Sequence, residues 1–282
     1  MKTNLLIAIS NIIKDPNNNL AQVYRSTIRA NAMGDALEFY VKDIFCGTLK
    51  EKKLAEEEAI YRKNFSYLGN QNNPPDIIIR EGDAIEVKKF ESTRPGGIAL
   101  NSSYPKDALY SESPLISNAC RRCENWSKKD IIYIVGGVVD GKIHSLWFVY
   151  GNCYAADRKV YEKIRNKIAS GLNSLPDIEF GKTKELARIN RVDPLGITDL
   201  RVRGMWGIKH PARVFGYIKG IATDLKFNVN AIMLREKYLS FPEKDRLTLE
   251  RLDRKKILIK DIKIKSPNNP AKLLNAKLLR LI

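Results

Sequence analysis

Asp76, Glu86 and Lys88 fall within one short segment, Pro75-Asp76-Ile77-Ile78-Ile79-Arg80-Glu81-Gly82-Asp83-Ala84-Ile85-Glu86-Val87-Lys88, with a single apolar residue between the last two charges. Carboxylates are hard oxygen ligands, and Mg²⁺ takes only one or two of them while water and phosphate oxygens complete its octahedron. An ammonium beside such an ion positions an attacking water, helps it lose a proton and offsets charge growing on phosphate oxygens. The predicted chemistry is metal-dependent hydrolysis of a phosphodiester, with Asp76 and Glu86 as metal ligands and Lys88 at the water.

These side chains need elements that hold them together. Ile77 to Ile79 and Ala84 to Val87 are β-branched-rich pieces separated by Glu81-Gly82-Asp83, the pattern of a hairpin with Gly82 at positive φ. A three-residue loop pairs Arg80 with Ala84, sets Asp76 opposite Lys88 and leaves Glu86 on the diagonal. Because strand side chains alternate, the three charges share one face while Ile85 and Val87 point to the core. An ion pair on an exposed hairpin has the same spacing, so the rest of the chain has to decide.

The stretch Ala32 to Phe45 places Met33, Leu37, Tyr40, Val41 and Ile44 on one helical stripe that ends near Cys46-Gly47, an amphipathic helix. Glu38 sits at the margin of that stripe and is a candidate auxiliary carboxylate. Asn70-Gln71-Asn72-Asn73-Pro74-Pro75 is a stiff polar loop that halts a preceding helix and delivers Asp76 to its strand. Asp130 to Gly137 and Ser145 to Gly151 are apolar enough for central strands, joined through an Asp140-Gly141 turn. With a helix expected from Asp157 to about Gly171, strands and helices alternate around a mixed sheet, and the fold class is α/β.

Two polar clusters suit nucleic acid. Arg94 and the loop Asn101-Ser102-Ser103-Tyr104-Pro105-Lys106 offer donors for phosphates and base edges, with Arg94, Asn101, Ser102, Ser103 and Lys106 as candidate contacts. Arg201 and Arg203 alternate with Leu200 and Val202, which puts two guanidinium groups on one strand face, as guanine reading requires. Met205 and Trp206 are expected in the core. The tail, Arg254 to Lys265, is dense in lysine and partly alternating, which fits backbone contact or a solvated edge strand.

The 49 Lys and Arg against 32 Asp and Glu leave a formal charge of +17, an imbalance that points to a polyanionic partner. The chain has no apolar span of membrane length, and the run Asn4 to Ile9 is too short and too soon polar for a signal peptide. Four scattered cysteines do not form a disulfide framework in 282 residues, so a reduced, cytoplasmic setting is expected. Cys120-Arg121-Arg122-Cys123 has half the spacing of a zinc knuckle and no second half. One domain spanning residues 1–282 is expected, because no Pro, Gly or Ser tract divides the chain.

With these residues assembled, the chain resembles a type II restriction endonuclease of the PD-(D/E)xK superfamily. Pro75-Asp76, Glu86 and Lys88 match the motif, and Glu38 resembles its frequent upstream acidic residue. Longer strings resemble the family typified by NgoPII: Phe65 to Asp76, Gly82 to Lys89, Ala99 to Lys106 and Leu200 to Trp206. The resemblance implies a restriction-endonuclease-like core with integral recognition loops and Mg²⁺-dependent double-strand cleavage of a short palindrome, GGCC being typical. A palindrome calls for two-fold symmetry and hence a homodimer, and a host must protect its own sites with a cognate DNA methyltransferase. Two other readings stay open at this point: a relaxed repair or recombination nuclease, and a non-catalytic DNA-binding protein.

Overall fold

The computed structural model describes residues 2–24, 33–49, 54–70, 73–92, 96–100, 103–221, 227–252 and 256–281. The N-terminal quarter is helical: α1 (Leu5–Lys14), α2 (Leu20–Val23), α3 (Met33–Cys46) and α4 (Leu54–Asn64). The early apolar run belongs to α1. Asn4 caps it by accepting from the N–H groups of Leu6 and Ile7, and Leu5, Leu6, Ile9 and Ile12 are buried. On α3 the predicted stripe is buried at Leu37, Tyr40, Val41 and Ile44, and Gly47 at φ +72° follows its end, where a residue without a Cβ enters the left-handed region at no cost.

The strands that follow are β1 (Phe65–Asn70), β2 (Asn73–Ile79), β3 (Ala84–Phe90), β4 (Gly97–Leu100) and β5 (Ala108–Tyr110); after α5 (Asn118–Arg122) come β6 (Lys128–Val139) and β7 (Lys142–Tyr150). The segment before Asp76 therefore joins two strands and does not stop a helix, because α4 already ends at Asn64. The middle of the chain holds α6 (Gly151–Tyr154), α7 (Arg158–Asn173), β8 (Ala187–Ile189), β9 (Leu200–Val202), β10 (Trp206–Lys209) and α8 (Pro211–Val214). The C-terminal part adds β11 (Asn228–Leu234), α9 (Arg235–Ser240), α10 (Glu243–Glu250), β12 (Ile257–Lys265) and β13 (Leu273–Leu281).

The main sheet runs β1-β2-β3-β6-β7-β11-β13-β12, with β5 added on β6. The β3–β6 and β7–β11 pairs are parallel and the others antiparallel, which makes the fold a mixed α/β sheet flanked by helices. The β6–β7 hairpin closes through Asp140 at φ +51° and Gly141 at φ +70°, the turn the Asp-Gly pair predicts. One contiguous apolar cluster extends from Leu5 to Leu279. The basic tail forms β12, an edge strand paired to β13; Lys260 and Lys263 on it are exposed, and charged side chains of this kind block further strand addition.

Close packing sets α3 on the sheet. A Cβ at Gly136 of β6 would come within 2.6 Å of Leu37 Cδ2, so the glycine lets the helix approach and brings its next residue, Glu38, towards β3. Outside the main sheet, β4 pairs with β10 and β8 with β9. The β4–β10 register, with Leu100 against Trp206 and Ile98 against Ile208, brings the two polar clusters of the sequence side by side.

Candidate active site

The segment carrying Asp76, Glu86 and Lys88 is a hairpin, with a different register from the one its loop suggests. Ile78 pairs with Ala84 and Ile77 with Ile85, so continuing the ladder sets Asp76 opposite Glu86, with Lys88 beyond. Glu81, not Gly82, has the positive φ, at +54°. The turn is wider because the N–H of Gly82 donates to the carbonyl of Ile79 at 2.9 Å and the N–H of Ile79 to the carbonyl of Asp83 at 2.9 Å. Gly82 is needed for closeness: a Cβ there would meet Ile79 Cγ2 at 2.9 Å. Asp83 is drawn inward, where it accepts from the Tyr150 hydroxyl at 2.6 Å and from Lys237 Nζ at 2.6 Å, and Lys237 also reaches Asp130 at 2.8 Å. The register shift is an even number of residues, so every side chain keeps its predicted face.

Asp76, Glu86 and Lys88 thus meet at one end of β2 and β3. Asp76 Oδ2 accepts from the backbone N–H of Val87 at 2.6 Å, and Lys88 Nζ lies 2.7 Å from Glu86 Oε1. Glu86 is 9% exposed, and its other oxygen, Oε2, has no hydrogen-bond partner among the described residues. Burial pushes the Asp76 carboxyl up to about 7, helped by the Glu86 charge and opposed by Lys88 and the Val87 N–H, with Glu38 adding a smaller push upward. Burial pulls the Lys88 ammonium down, but Glu86 and Asp76 outweigh it, and the net shift is upward. Glu38 on α3 is held by Lys42 at 3.3 Å, whose ammonium lies 4.1 Å from the Phe39 ring centre.

Two carboxylates facing each other in a buried site repel, and a buried oxygen without a partner is costly. A divalent cation relieves both at once, so Asp76 and Glu86 fit such an ion. Among the described residues no three His, Cys, Asp or Glu side chains converge as a protein-only metal cage; a pair of carboxylates with the remaining positions open to water and phosphate is the Mg²⁺ pattern.

Lys106, a candidate DNA contact, is turned inward. It is 6% exposed, and its ammonium donates to Ser103 Oγ and to the Tyr104 carbonyl at 3.3 Å. Its backbone N–H donates to the Tyr133 hydroxyl at 2.7 Å, and Tyr133 is the β6 partner of Glu86. Gly151 allows this loop to lie close, since a Cβ there would meet the Lys106 carbonyl at 2.3 Å. Burial pushes the Lys106 ammonium down to about 8, with Glu86 opposing and Lys88 adding. Ser103 is buried beside it. The Lys106 side chain is not turned to solvent, because the loop folds back against the sheet; the sequence signal missed was the small residue, Gly151, that makes room for it. Arg94, Asn101 and Ser102 lie outside the described residues.

Arg201 and Arg203 are exposed at a groove of about 870 Å³, whose wall also includes Asn73, Pro74, Ser103 and Trp206. The groove therefore joins the arginine pair to the strand that carries Asp76. Both arginines converge on Glu185, which sequence reading passed over. Met205, expected in the core, is 76% exposed, because β9 and β10 lie off the main sheet. Trp206 is half-buried, edge-on to Tyr104 and Tyr161.

A mixed sheet presenting an Asp, a Glu and a Lys on one hairpin beside a basic groove has the architecture of a restriction endonuclease. The chain matches the model of the NgoPII restriction endonuclease family over residues 3–265, and it is 49% identical over 280 residues to the type II restriction enzyme NgoPII of Neisseria gonorrhoeae, covering 98% of each chain. It belongs to the NgoPII restriction endonuclease family and is a type II restriction endonuclease, a site-specific deoxyribonuclease. No solved structure matches it. Among the described residues no helix is long and apolar enough to cross a membrane. Family membership thus selects among the three readings the sequence left open.

Proposed function

We propose that this endonuclease hydrolyses both strands of a short DNA palindrome with Mg²⁺ held by Asp76 and Glu86. The observation that carries this reading is the buried Oε2 of Glu86, unpartnered among the described residues, in a site where the Glu86 and Asp76 charges act on each other. Bound there, the ion would polarise the phosphate and acidify a water. The chain's own residues do the rest. Lys88, kept charged by the carboxylates around it, orients the attacking water and balances charge on the phosphate oxygens, while Glu38 adds a further acceptor at the margin.

Arg94, Asn101, Ser102, Ser103, Lys106, Arg201 and Arg203 are proposed as the DNA-contacting set, with Ser103 in the groove wall and the inward-turned Lys106 needing its loop to open. The family resemblance supports GGCC as target. A homodimer suits that symmetry, and most of the exposed large apolar side chains among the described residues lie between Val160 and Met205. On α7, Val160, Ile164 and Ile168 recur at helical spacing and are all exposed, and no residue of that helix is buried, a face suited to a second copy. The proposal covers residues 1–282 as one endonuclease domain with integral recognition loops and a basic C-terminal tail. It also includes a cytoplasmic setting, which the free cysteines favour, and a cognate methyltransferase that protects host sites.

The test is digestion of unmethylated phage DNA with Mg²⁺, an EDTA control, and sequencing of the ends. Discrete fragments sharing GGCC support the proposal. A metal-dependent smear without a shared site ends it.

A further inference from the structure

Away from the carboxylate centre, Glu185 lies between Arg201 and Arg203. Arg201 donates from Nε to Glu185 Oε2 at 3.0 Å and from Nη2 to Oε1 at 2.8 Å, and Arg203 Nε lies 2.6 Å from the same Oε1. The Glu185 side chain is largely covered, whereas both arginine side chains are more than half exposed. Its backbone is anchored as well: its N–H donates to Thr183 Oγ1 at 3.0 Å, and the carbonyls of Lys184 and Glu185 accept from Arg165 of α7. One covered, anchored carboxylate therefore orients two exposed guanidinium forks in the wall of a groove that Asn73 and Pro74, at the start of the strand carrying Asp76, also line.

The pairing occupies one edge of Arg201 and the Nε of Arg203, so the Nη1 donor of Arg201 and the two Nη nitrogens of Arg203 are uncommitted among the described residues. A free arginine carries large rotamer entropy and binds any phosphate within reach. A guanidinium whose plane is already held loses less on forming a bidentate contact, and its attraction for phosphate is partly neutralised.

We propose that Glu185 is a positioning residue that sets base specificity: it holds Arg201 and Arg203 in the planes needed for guanine and tempers their grip on non-cognate DNA. The inference rests on the reading of these arginines as base readers and deepens it. Removing Glu185 frees the guanidinium groups to take up phosphates, so altered sites are bound and cut more readily, while turnover at the intact site, performed at Asp76 and Glu86, is preserved.

The experiment compares cleavage of the intact site with sites changed at one base pair, for the wild type, Glu185→Ala, Glu185→Gln, Arg201→Ala and Arg203→Ala. Glu185→Ala is expected to lose about tenfold or more of the discrimination, the scale of one good base contact. The loss should come through faster cutting of altered sites, with kcat at the intact site unchanged and a steeper salt dependence of non-cognate binding. Glu185→Gln, which keeps the acceptor oxygen and loses the charge, should fall between. Wild-type discrimination in Glu185→Ala, with relaxed discrimination in either arginine variant, overturns the proposal and leaves the arginine reading standing. If neither arginine variant changes discrimination, the base-reading assignment falls and takes the proposal with it. Should Glu185→Ala not fold, Glu185→Gln carries the same test, and unchanged discrimination in it overturns the proposal.

Discussion

Two buried carboxylate sites lie close to α3, and they are used in opposite ways. Asp43, on the helix itself, is 2% exposed and accepts from the hydroxyls of Tyr24, Tyr61 and Thr48, each at 2.5 Å. Burial and the Asp43 charge push both phenols far up, so they remain donors throughout the ordinary pH range. Glu86, 9% exposed, has one oxygen on Lys88 and the other on nothing described, with Asp76 across the ladder. The first site is closed by the protein's own donors and ties α3 to α2 and α4. The second keeps acceptor capacity in reserve. Burial of an acid does not distinguish structure from function; what separates these two is that the protein fills the acceptors of Asp43 and leaves one oxygen of Glu86, beside a second carboxylate, without a partner among the described residues.

The largest effect expected from this contrast is on chemistry. Asp76→Ala or Glu86→Ala should lower cleavage by roughly a thousandfold or more, since each would remove a proposed ligand of the ion that stabilises the transition state. DNA binding measured without Mg²⁺ should persist in both. Mg²⁺-dependent cutting retained by either variant would break the assignment of the site.

The mirror-image variant is Asp43→Ala, which strands the buried Tyr24 and Thr48 hydroxyls, leaves the Tyr61 hydroxyl only its bond to Glu57, and should cost about 2–4 kcal/mol of stability in urea unfolding. Activity per folded molecule should stay at the wild-type value. A loss of kcat without a loss of stability would mean that Asp43 belongs to the reactive site after all.

A third test uses pH. The folded Asp76 carboxyl, at about 7 against an ordinary 3.8, keeps its proton over a range where the unfolded chain has released it. The unfolded state therefore binds fewer protons between about pH 4 and 7, and stability from this group falls as pH rises through that window. Melting in EDTA should fall more from pH 5 to pH 8 in the wild type than in Asp76→Asn. Added Mg²⁺ should recover more stability at pH 8 than at pH 6, because the ion requires the ionised carboxylate. Parallel pH profiles for the two proteins would show that Asp76 is not held up by its surroundings.

The smallest effect sharpens the structural side. Tyr61→Phe removes one of three donors to Asp43 and should cost about 1 kcal/mol in the same unfolding assay, with cleavage unaffected.

Much of this was legible in the residues. The stripe Leu37, Tyr40, Val41 and Ile44 announced α3, the Asp140-Gly141 pair announced the β6–β7 turn, and alternation around Glu86 and Lys88 announced one charged face. The hairpin register was not legible, because it depends on Asp83 being drawn to Tyr150 and Lys237, residues far away in sequence. Met205 was misread as core because an apolar side chain between an arginine-rich strand and a tryptophan carries no local mark of whether a layer covers it.

Local periodicity and chemical type, both properties of neighbouring residues, were enough to determine the α/β class, the helix bearing Glu38, and the grouping of Asp76, Glu86 and Lys88. Tertiary structure alone decided that Asp76 faces Glu86, that Lys106 turns inward beneath Tyr133, and that Glu185 gathers Arg201 and Arg203. Each of those depends on which distant backbone can approach, through a glycine such as Gly136 or Gly151, and on where a buried charge finds its partner. Such approaches are settled by the packed molecule as a whole, because burial and long-range pairing act between segments that no sequence window contains.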